Sequence, residues 1–227
     1  MTGKFQVQKI REFLKNEIPL SIKNFTMKRY IPIIAVLFLV TVAFMPFVDS
    51  LPIGAALPKA DLKMKDISGK EVSLKDAKKK NGLLVMFSCN TCPWVIKNQS
   101  RTNEIAAYAL SKGVGIILLN PNEGQRTDAD SYEAMKKYAK DNNYTFYYTV
   151  DQNHVLADAF GANRTPECFL FNADDKHVYH GAIDDNPGNA GDVKRKHLKE
   201  AIDEMVAGKD ITTKESRSMG CSIKRVD

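Results

Sequence analysis

The sequence predicts an α/β fold in which a central mixed sheet is flanked by helices. Two short continuous apolar runs, Leu84 to Phe87 and Gly115 to Leu119, are typical of strands that are buried on both faces of a sheet. Segments with helix start signals follow these runs, and a strand pair with a last helix closes the pattern. Because strands that alternate with helices form layered domains, the order of the elements indicates the fold class.

Local signals predict the individual elements. Leu62 to Ile67 and Glu71 to Leu74 alternate on either side of a Ser-Gly-Lys turn, which predicts a small hairpin. Pro93 suits the first turn of a helix, where its missing N–H is not needed, and this helix is expected to end near Leu110. The remaining elements are a helix capped by Asp130 or Ser131, a strand over 146–150, a helix over 155–160, strands over 168–171 and 177–183, and a helix over 193–206.

The most informative motif is Cys89-Asn-Thr-Cys92-Pro93, at the junction of a predicted strand and a predicted helix. Residues three apart in a helical turn lie on one face, so Cys89 and Cys92 are expected to form a disulfide or hold two thiols side by side. Cys89 is expected just before the unpaired N–H groups of the helix, which favour a thiolate. Since thiolates attack disulfides, the motif predicts thiol–disulfide exchange.

Half of a zinc site and an inert structural disulfide are the alternative interpretations of this motif. Zinc requires two further cysteine or histidine ligands at matching spacing. The other candidates are scattered along the chain: His154, His177, His180, His197, Cys168 and Cys221. His177 and His180 are three apart on a strand and are expected to point to opposite faces. The motif therefore favours redox chemistry, and neither a metal nor another cofactor is expected.

The positive charge of the chain is concentrated at its N-terminus. The formal net charge is +6; residues 1–30 carry seven Lys or Arg against two Glu, and residues 31–227 carry 26 against 25 Asp or Glu. The predicted folded part is therefore nearly neutral, which gives no reason to expect nucleic-acid binding.

An uncharged run of 18 residues, 31–48, follows the basic segment. Its length suits a short membrane anchor or the apolar part of a secretory signal, and the lack of a clean small-x-small cleavage site favours the anchor. Residues 49–60 are then a linker. Positive charge stays on the cytoplasmic side, so the domain is expected outside, where a C-x-x-C needs a membrane-linked redox partner. Translation could also begin at Met27, in which case residues 1–26 are absent from the protein.

The order of elements, with four motifs, resembles the thioredoxin superfamily, and more narrowly the redoxin (AhpC/TSA-type) thioredoxin-like proteins of bacterial envelopes. The motifs are the C-x-x-C-P at 89–93, Arg164-Thr165-Pro166 before a strand, Gly181 to Asp185 after the predicted hairpin, and Gly220-Cys221 near the end. The resemblance covers about residues 53–224 and implies a thioredoxin-like domain over 61–210 with a tail over 211–227.

The resemblance also implies roles for residues around the second motif. In that family the proline of the Thr-Pro pair is cis and lies beside the disulfide, which corresponds to Pro166. The backbone of Thr165 would then face the cysteines, and a substrate strand could pair with it. Ser88 stands where thioredoxins have a tryptophan and Leu83 where many bury an acid, so Glu167 is the nearest candidate for proton transfer.

Other side chains near the motifs are weaker site candidates. Trp94 is expected to pack beside the cysteines. Arg164 either stabilises a thiolate by its charge or is an ordinary surface arginine. Cys168 is either a third thiol or a small buried hydrophobic residue, and a disulfide between Cys168 and Cys221 is an open alternative. Asp184 and its neighbour could bind a cation, but such a loop uses Asp for turns more often.

These observations predict a thiol–disulfide oxidoreductase on the periplasmic side of a bacterial envelope, anchored or secreted, that acts on protein disulfides and thiols. Cys89 is expected to attack as an exposed thiolate, and Cys92 to resolve the mixed disulfide. Two alternatives remain open. One is a thiol peroxidase of the redoxin type, although the sequence lacks the P-x-x-x-T-x-x-C pattern. The other is a copper-binding thioredoxin-like module that uses the reduced pair and a third ligand.

Overall fold

The fold is given by a computed structural model, which describes residues 50–226. The strands are β1 (Met64–Lys65), β2 (Glu71–Val72), β3 (Leu83–Phe87), β4 (Gly115–Asn120), β5 (Tyr147–Val150), β6 (Arg164–Thr165), β7 (Glu167–Phe171), β8 (His177–Gly181) and β9 (Cys221–Ser222). The helices are α1 (Leu74–Ala77), α2 (Pro93–Lys97), α3 (Gln99–Ser111), α4 (Tyr132–Asp141), α5 (Val155–Phe160) and α6 (His197–Val206). Short 3₁₀ turns span Glu123–Gln125, Gln152–His154 and Ala190–Asp192.

Five strands form the central sheet in the order β5-β4-β3-β7-β8. β3 pairs in parallel with β4, and β4 with β5, whereas β7 runs antiparallel to both β3 and β8. β1 and β2 form a separate antiparallel hairpin, as predicted. The predicted α/β fold with a central mixed sheet is therefore confirmed.

The sheet is covered on both faces, which explains the continuous apolar run of β3. Leu84 and Met86 belong to the core cluster that also contains side chains of α3, α4 and α6. Leu83, Val85 and Phe87 alternate with them and join the cluster formed with α1 and α5. The strand that leads into the cysteine motif is thus fixed from both sides.

The helix predicted from Pro93 to about Leu110 is interrupted at Asn98, which separates α2 from α3. The Asn98 side-chain amide donates to the carbonyl oxygen of Trp94 at 2.7 Å and to that of Pro187 at 3.3 Å. A side chain that binds backbone carbonyls competes with the regular helical pattern and accounts for the break.

The last helix begins at His197, four residues later than predicted from Val193. The intervening segment binds the Asp185 loop instead. The N–H of Lys194 donates to the Asp185 carboxylate at 3.0 Å, and the N–H of Asp185 donates to the Arg195 carbonyl at 3.1 Å. These bonds hold the backbone in a non-helical conformation.

The prediction that His177 and His180 point to opposite faces is wrong. The register between β7 and β8 shifts between Leu170 and Phe171, and such a bulge adds one residue to the alternation. The two imidazole centroids consequently lie 6.2 Å apart, and both rings contact Phe169.

The segments predicted to flank the domain pack against it where the structure describes them. In the predicted linker, 49–60, the Leu57 side chain is buried. In the predicted tail, 211–227, Ile211 and Ile223 are buried in the two core clusters. The tail is therefore part of the folded domain.

The predicted basic segment, 1–30, and the predicted anchor, 31–48, lie outside the described residues. Within residues 50–226, no helix is both long and apolar enough to cross a bilayer.

Candidate active site

Cys92, rather than Cys89, stands at the N-terminus of the helix that follows β3. Pro93 takes the first helical position of α2, so Cys92 is the N-cap. The backbone from Cys89 to Cys92 is not helical, so the two thiols do not share a helical face. The prediction that Cys89 lies beside the helix N-terminus is therefore wrong, because the helix begins only after the second cysteine.

Three thiols converge on the buried residue that precedes the cis-proline. The Cys92 Sγ atom lies 3.1 Å from the Thr165 carbonyl oxygen and 2.7 Å from the Cys221 Sγ atom. The Cys89 Sγ atom lies 3.2 Å from the Thr165 hydroxyl. All are free thiols. Cys89 is 1% exposed and Cys92 4% exposed, so the expectation of an exposed thiolate at Cys89 is also wrong.

The surroundings separate the proton affinities of the two motif cysteines. The hydrogen bond from Cys89 lowers the pKa of Cys92; Cys221 and the backbone amide of Val95 act in the same direction, whereas burial opposes them. The same hydrogen bond to Cys92, burial and the negative charge of Asp130 raise the pKa of Cys89. Of the two motif cysteines, Cys92 therefore has the lower pKa.

We expect the thiolate of Cys92 to form at a lower pH than that of an ordinary cysteine, whose pKa is about 8.5. The measurement is the ultraviolet thiolate absorbance titrated against pH, taken as the difference between the wild type and Cys92→Ser. Cys89→Ala should shift this midpoint to higher pH, because it removes the strongest stabilising hydrogen bond. A midpoint near 8.5 that Cys89→Ala leaves unchanged would contradict the assignment.

The loop beside the thiols is held by a buried carboxylate. The Thr165–Pro166 peptide bond is cis, in agreement with the resemblance. The Glu167 carboxylate accepts the backbone N–H groups of residues 163–164 at 2.8 and 2.9 Å, and its other oxygen lies 2.7 Å from Nε2 of His180. These contacts fix the loop in front of the cysteines, and they give Glu167 a positioning role.

The edge predicted to bind a substrate strand is already paired within the chain. β9 runs antiparallel to β6, with Cys221 opposite Thr165 and Ser222 opposite Arg164. The Arg164 guanidinium donates to the carbonyl oxygen of Gly220 at 3.2 Å. Arg164 and Thr165 therefore bind the chain's own C-terminal strand. This strand occupies the hydrogen-bonding positions that were expected for a substrate.

Aromatic side chains complete the wall around the thiols. Trp94 is partly buried and packs against the cluster of Cys89, Cys92 and Val95, in agreement with its expected place beside the pair. Tyr138 packs against the same cluster. Burial raises the pKa of Tyr138 to about 12, so it stays a neutral phenol at physiological pH.

Asp130 is a functional candidate that sequence reasoning missed. Its Oδ1 atom accepts hydrogen bonds from the backbone N–H of Asn90 and the amide of Asn120, both at 2.8 Å, and its Oδ2 atom accepts one from Asn122 at 2.9 Å. The sequence offered Asp130 only as a helix cap, and Ser131 caps α4 instead. The carboxylate therefore anchors Asn90, the first of the two residues between the motif cysteines.

The remaining candidates have structural contacts. Cys168 is fully buried in the core cluster beneath α6, and no disulfide joins it to Cys221. Asp184 forms a buried ion pair with Arg101 at 2.7 Å and closes a turn, in agreement with a structural rather than a cation-binding role. Within residues 50–226, no group of three or more His, Cys, Asp or Glu side chains is arranged to hold a metal ion.

Comparison with known families matches residues 52–201 to the redoxin family. The chain belongs to the redoxin family. At the coarse level of that family it is an oxidoreductase of the thiol–disulfide or peroxiredoxin-like kind. The resemblance inferred from the motifs is thereby confirmed, and the central C-x-x-C-P lies within the matched part of this redoxin.

Solved structures agree with the family assignment. A hypothetical protein from Sinorhizobium meliloti is 31% identical, with a TM-score of 0.72 over 78% of this redoxin and 97% of that chain. An uncharacterized conserved protein from Geobacillus kaustophilus is 34% identical, with a TM-score of 0.71 over 76% and 92%. A putative thiol:disulfide interchange protein DsbE from Chlorobium tepidum, at 19% identity and a TM-score of 0.51 over 70% and 98%, shares the thioredoxin-like fold. The comparison with curated proteins gave no match.

Proposed function

We propose that this redoxin is a thiol–disulfide oxidoreductase in which Cys92 is the attacking residue. The observation that carries the proposal is the position of Cys92 at the N-cap of α2, next to a Cys89 thiol that lowers the pKa of Cys92. A helix N-terminus and a donor thiol both stabilise a thiolate. The predicted roles of the two motif cysteines are therefore exchanged.

The proposed reaction needs only the sulfur atoms of the site. The Cys92 thiolate attacks one sulfur of a substrate disulfide, a mixed disulfide forms, and the other substrate sulfur leaves as a thiolate that takes up a proton. A second thiol of the site then attacks the Cys92 Sγ atom and releases the substrate fully reduced. In reverse, the same steps oxidise a dithiol, and the direction follows the relative reduction potentials.

We further propose that the substrates are protein disulfides and thiols outside the cytoplasm. The uncharged run at 31–48 supports export, and an oxidising compartment requires a membrane-linked partner to reset the thiols. The nearly neutral balance over residues 31–227 supports substrates other than nucleic acid.

The function is tested by trapping mixed disulfides with the double variant Cys89→Ser/Cys221→Ser, which leaves Cys92 without a neighbouring thiol to resolve them. We expect this variant, exported in a bacterial host, to accumulate covalent complexes that disappear on reduction. The matched control adds Cys92→Ser to the same background. Protein disulfide exchange at Cys92 would be contradicted if the control still formed these complexes. It would also be contradicted if the double variant formed no complexes although oxidised glutathione modified its Cys92.

A thiol peroxidase of the redoxin type is the second candidate, because the same N-cap thiolate could attack a peroxide. The double variant distinguishes the two functions. Two rates are compared in this variant: sulfenic acid formation at Cys92 with hydrogen peroxide, and mixed disulfide formation with oxidised glutathione. The peroxidase is favoured if the first rate is higher by orders of magnitude.

A further inference from the structure

We propose that Cys221 is a third redox-active cysteine, which resolves the Cys92 mixed disulfide and carries the product disulfide as a Cys92–Cys221 bond. This inference rests on the proposed function. It assigns catalysis to a residue 129 positions away from Cys92 in the sequence.

The C-terminal strand places the Cys221 thiol directly against Cys92. Their Sγ atoms lie 2.7 Å apart. The pairing of Cys221 with Thr165 sets this position, and Gly220 allows it, since a Cβ atom there would lie 2.4 Å from the Thr165 carbonyl oxygen. Only glycine lets the strand approach this closely.

Contacts on the C-terminal side of Cys221 fix the strand in this register. Ile223 is buried in the core, and its N–H donates to the Asn163 carbonyl oxygen at 3.1 Å. The N–H of Lys224 donates to the side-chain oxygen of Asn122 at 2.9 Å, and its carbonyl accepts the N–H of Gly124 at 2.8 Å. These contacts give Cys221 a defined position in the folded domain.

The positions of the three thiols favour Cys221 over Cys89 as the residue that forms the product disulfide with Cys92. Cys89 is 1% exposed, and its Sγ atom lies 3.2 Å from the Thr165 hydroxyl. Cys221 is partly exposed. Cys221 lies on β9, which covers the edge where a substrate strand would pair. The partner that resets the thiols can therefore reach a Cys92–Cys221 disulfide at the Cys221 sulfur.

The proposed steps balance in atoms and electrons. The Cys92 thiolate attacks a substrate disulfide RSSR, forming Cys92–S–S–R and releasing RS⁻. The Cys221 thiol gives its proton to the released thiolate and attacks the Cys92 Sγ atom; the Cys92–Cys221 bond forms and the second RS⁻ leaves, to be protonated by water. Two thiols of the protein are oxidised, and one substrate disulfide is reduced to two thiols.

Peptide mapping can distinguish the two product disulfides. The tryptic peptide 81–97 contains both Cys89 and Cys92, and the tryptic peptide 218–224 contains Cys221. The reduced protein is treated with one equivalent of oxidised glutathione, free thiols are alkylated in acid, and disulfide-linked peptides are quantified by mass spectrometry. A Cys92–Cys221 bond joins the two peptides, whereas a Cys89–Cys92 bond stays within the first.

We expect the cross-linked pair to be the main product in the wild type and in Cys89→Ser, and to be absent from Cys221→Ser. A wild type with only the internal Cys89–Cys92 bond and an alkylated Cys221 would overturn the proposal but leave the proposed function intact. Failure of Cys92 to enter any disulfide would overturn both. A cross-link lost in Cys89→Ser would show that Cys221 pairs with Cys89 and would also overturn the proposal.

A backbone variant tests the role of the strand without removing a thiol. Gly220→Ala should lower the yield of the cross-linked pair at least tenfold, because the new Cβ atom displaces β9 from Thr165. Ser222→Ala is the matched control, since this exposed side chain lies on the same strand and should leave the yield unchanged. Equal yields in the two variants would contradict the proposed dependence on strand register.

Discussion

Replacing Cys92 with serine is expected to abolish disulfide exchange, with a loss of about 10³-fold or more in the rate of the first step. The substitution removes the sulfur that we propose as the attacking thiolate, and a serine hydroxyl does not ionise at neutral pH. The measurement is a single-turnover release of a chromogenic thiol from an aryl disulfide, with the reduced protein in excess.

Cys89→Ser should affect the same step by less than about tenfold, because its hydroxyl can still donate a hydrogen bond to the Cys92 thiolate. Cys168→Ala is the control for the loss of a thiol that does not touch the site, and it should leave the rate unchanged. If Cys89→Ser abolished thiol release while Cys92→Ser retained it, the order of attack predicted from the sequence would be restored.

The sequence predicted the architecture because its signals there are local. The apolar run of β3 and the proline at the start of α2 specify a strand and a helix from adjacent residues. Pro93 at the first helical position also makes Cys92 the N-cap, whereas the spacing of the motif led to the expectation of a thiolate at Cys89. The preference of proline for the first helical position does not predict the other contacts of the site.

The parts that the sequence did not predict depend on contacts between distant residues. Asp130 meets the backbone of Asn90 across 40 positions, and Cys221 meets Cys92 across 129. A bulge in β8 reversed the expected orientation of a histidine, since one extra residue moves every following side chain to the other face. Spacing along the chain contains no direct signal for any of these three features.

The second large effect is expected at Asp130, whose carboxylate links the cysteine loop to the C-terminal strand. It binds Asn90 on one side and Asn122 on the other, and the side-chain oxygen of Asn122 accepts the N–H of Lys224. Asp130 is fully buried, so each donor that loses its acceptor stays unsatisfied in the interior. One carboxylate therefore supports both the motif and the strand that carries Cys221.

Asp130→Asn is expected to lower the free energy of unfolding by about 2–4 kcal/mol. The NH₂ group of the new side chain faces the NH₂ group of Asn122, so two buried donors meet without an acceptor. For a domain of this size, such a loss lowers Tm by roughly 5–15 °C, which thermal denaturation followed by circular dichroism will measure. Asp128→Asn changes the same charge at an exposed neighbouring position and should stay within about 0.5 kcal/mol of the wild type.

The same substitution separates the two effects of Asp130 on the thiols. Loss of its negative charge should lower the pKa of Cys89, since that charge raises it in the native protein. A turn of the Asn122 amide, made to relieve the two opposed donors, would take its oxygen away from Lys224 and loosen β9. We therefore expect Asp130→Asn to reduce the Cys92–Cys221 cross-link under conditions where the protein remains folded, while Asp128→Asn preserves it. A folded Asp130→Asn protein with wild-type cross-linking would show that Ile223 and the pairing with β6 hold the strand without the Asp130 network.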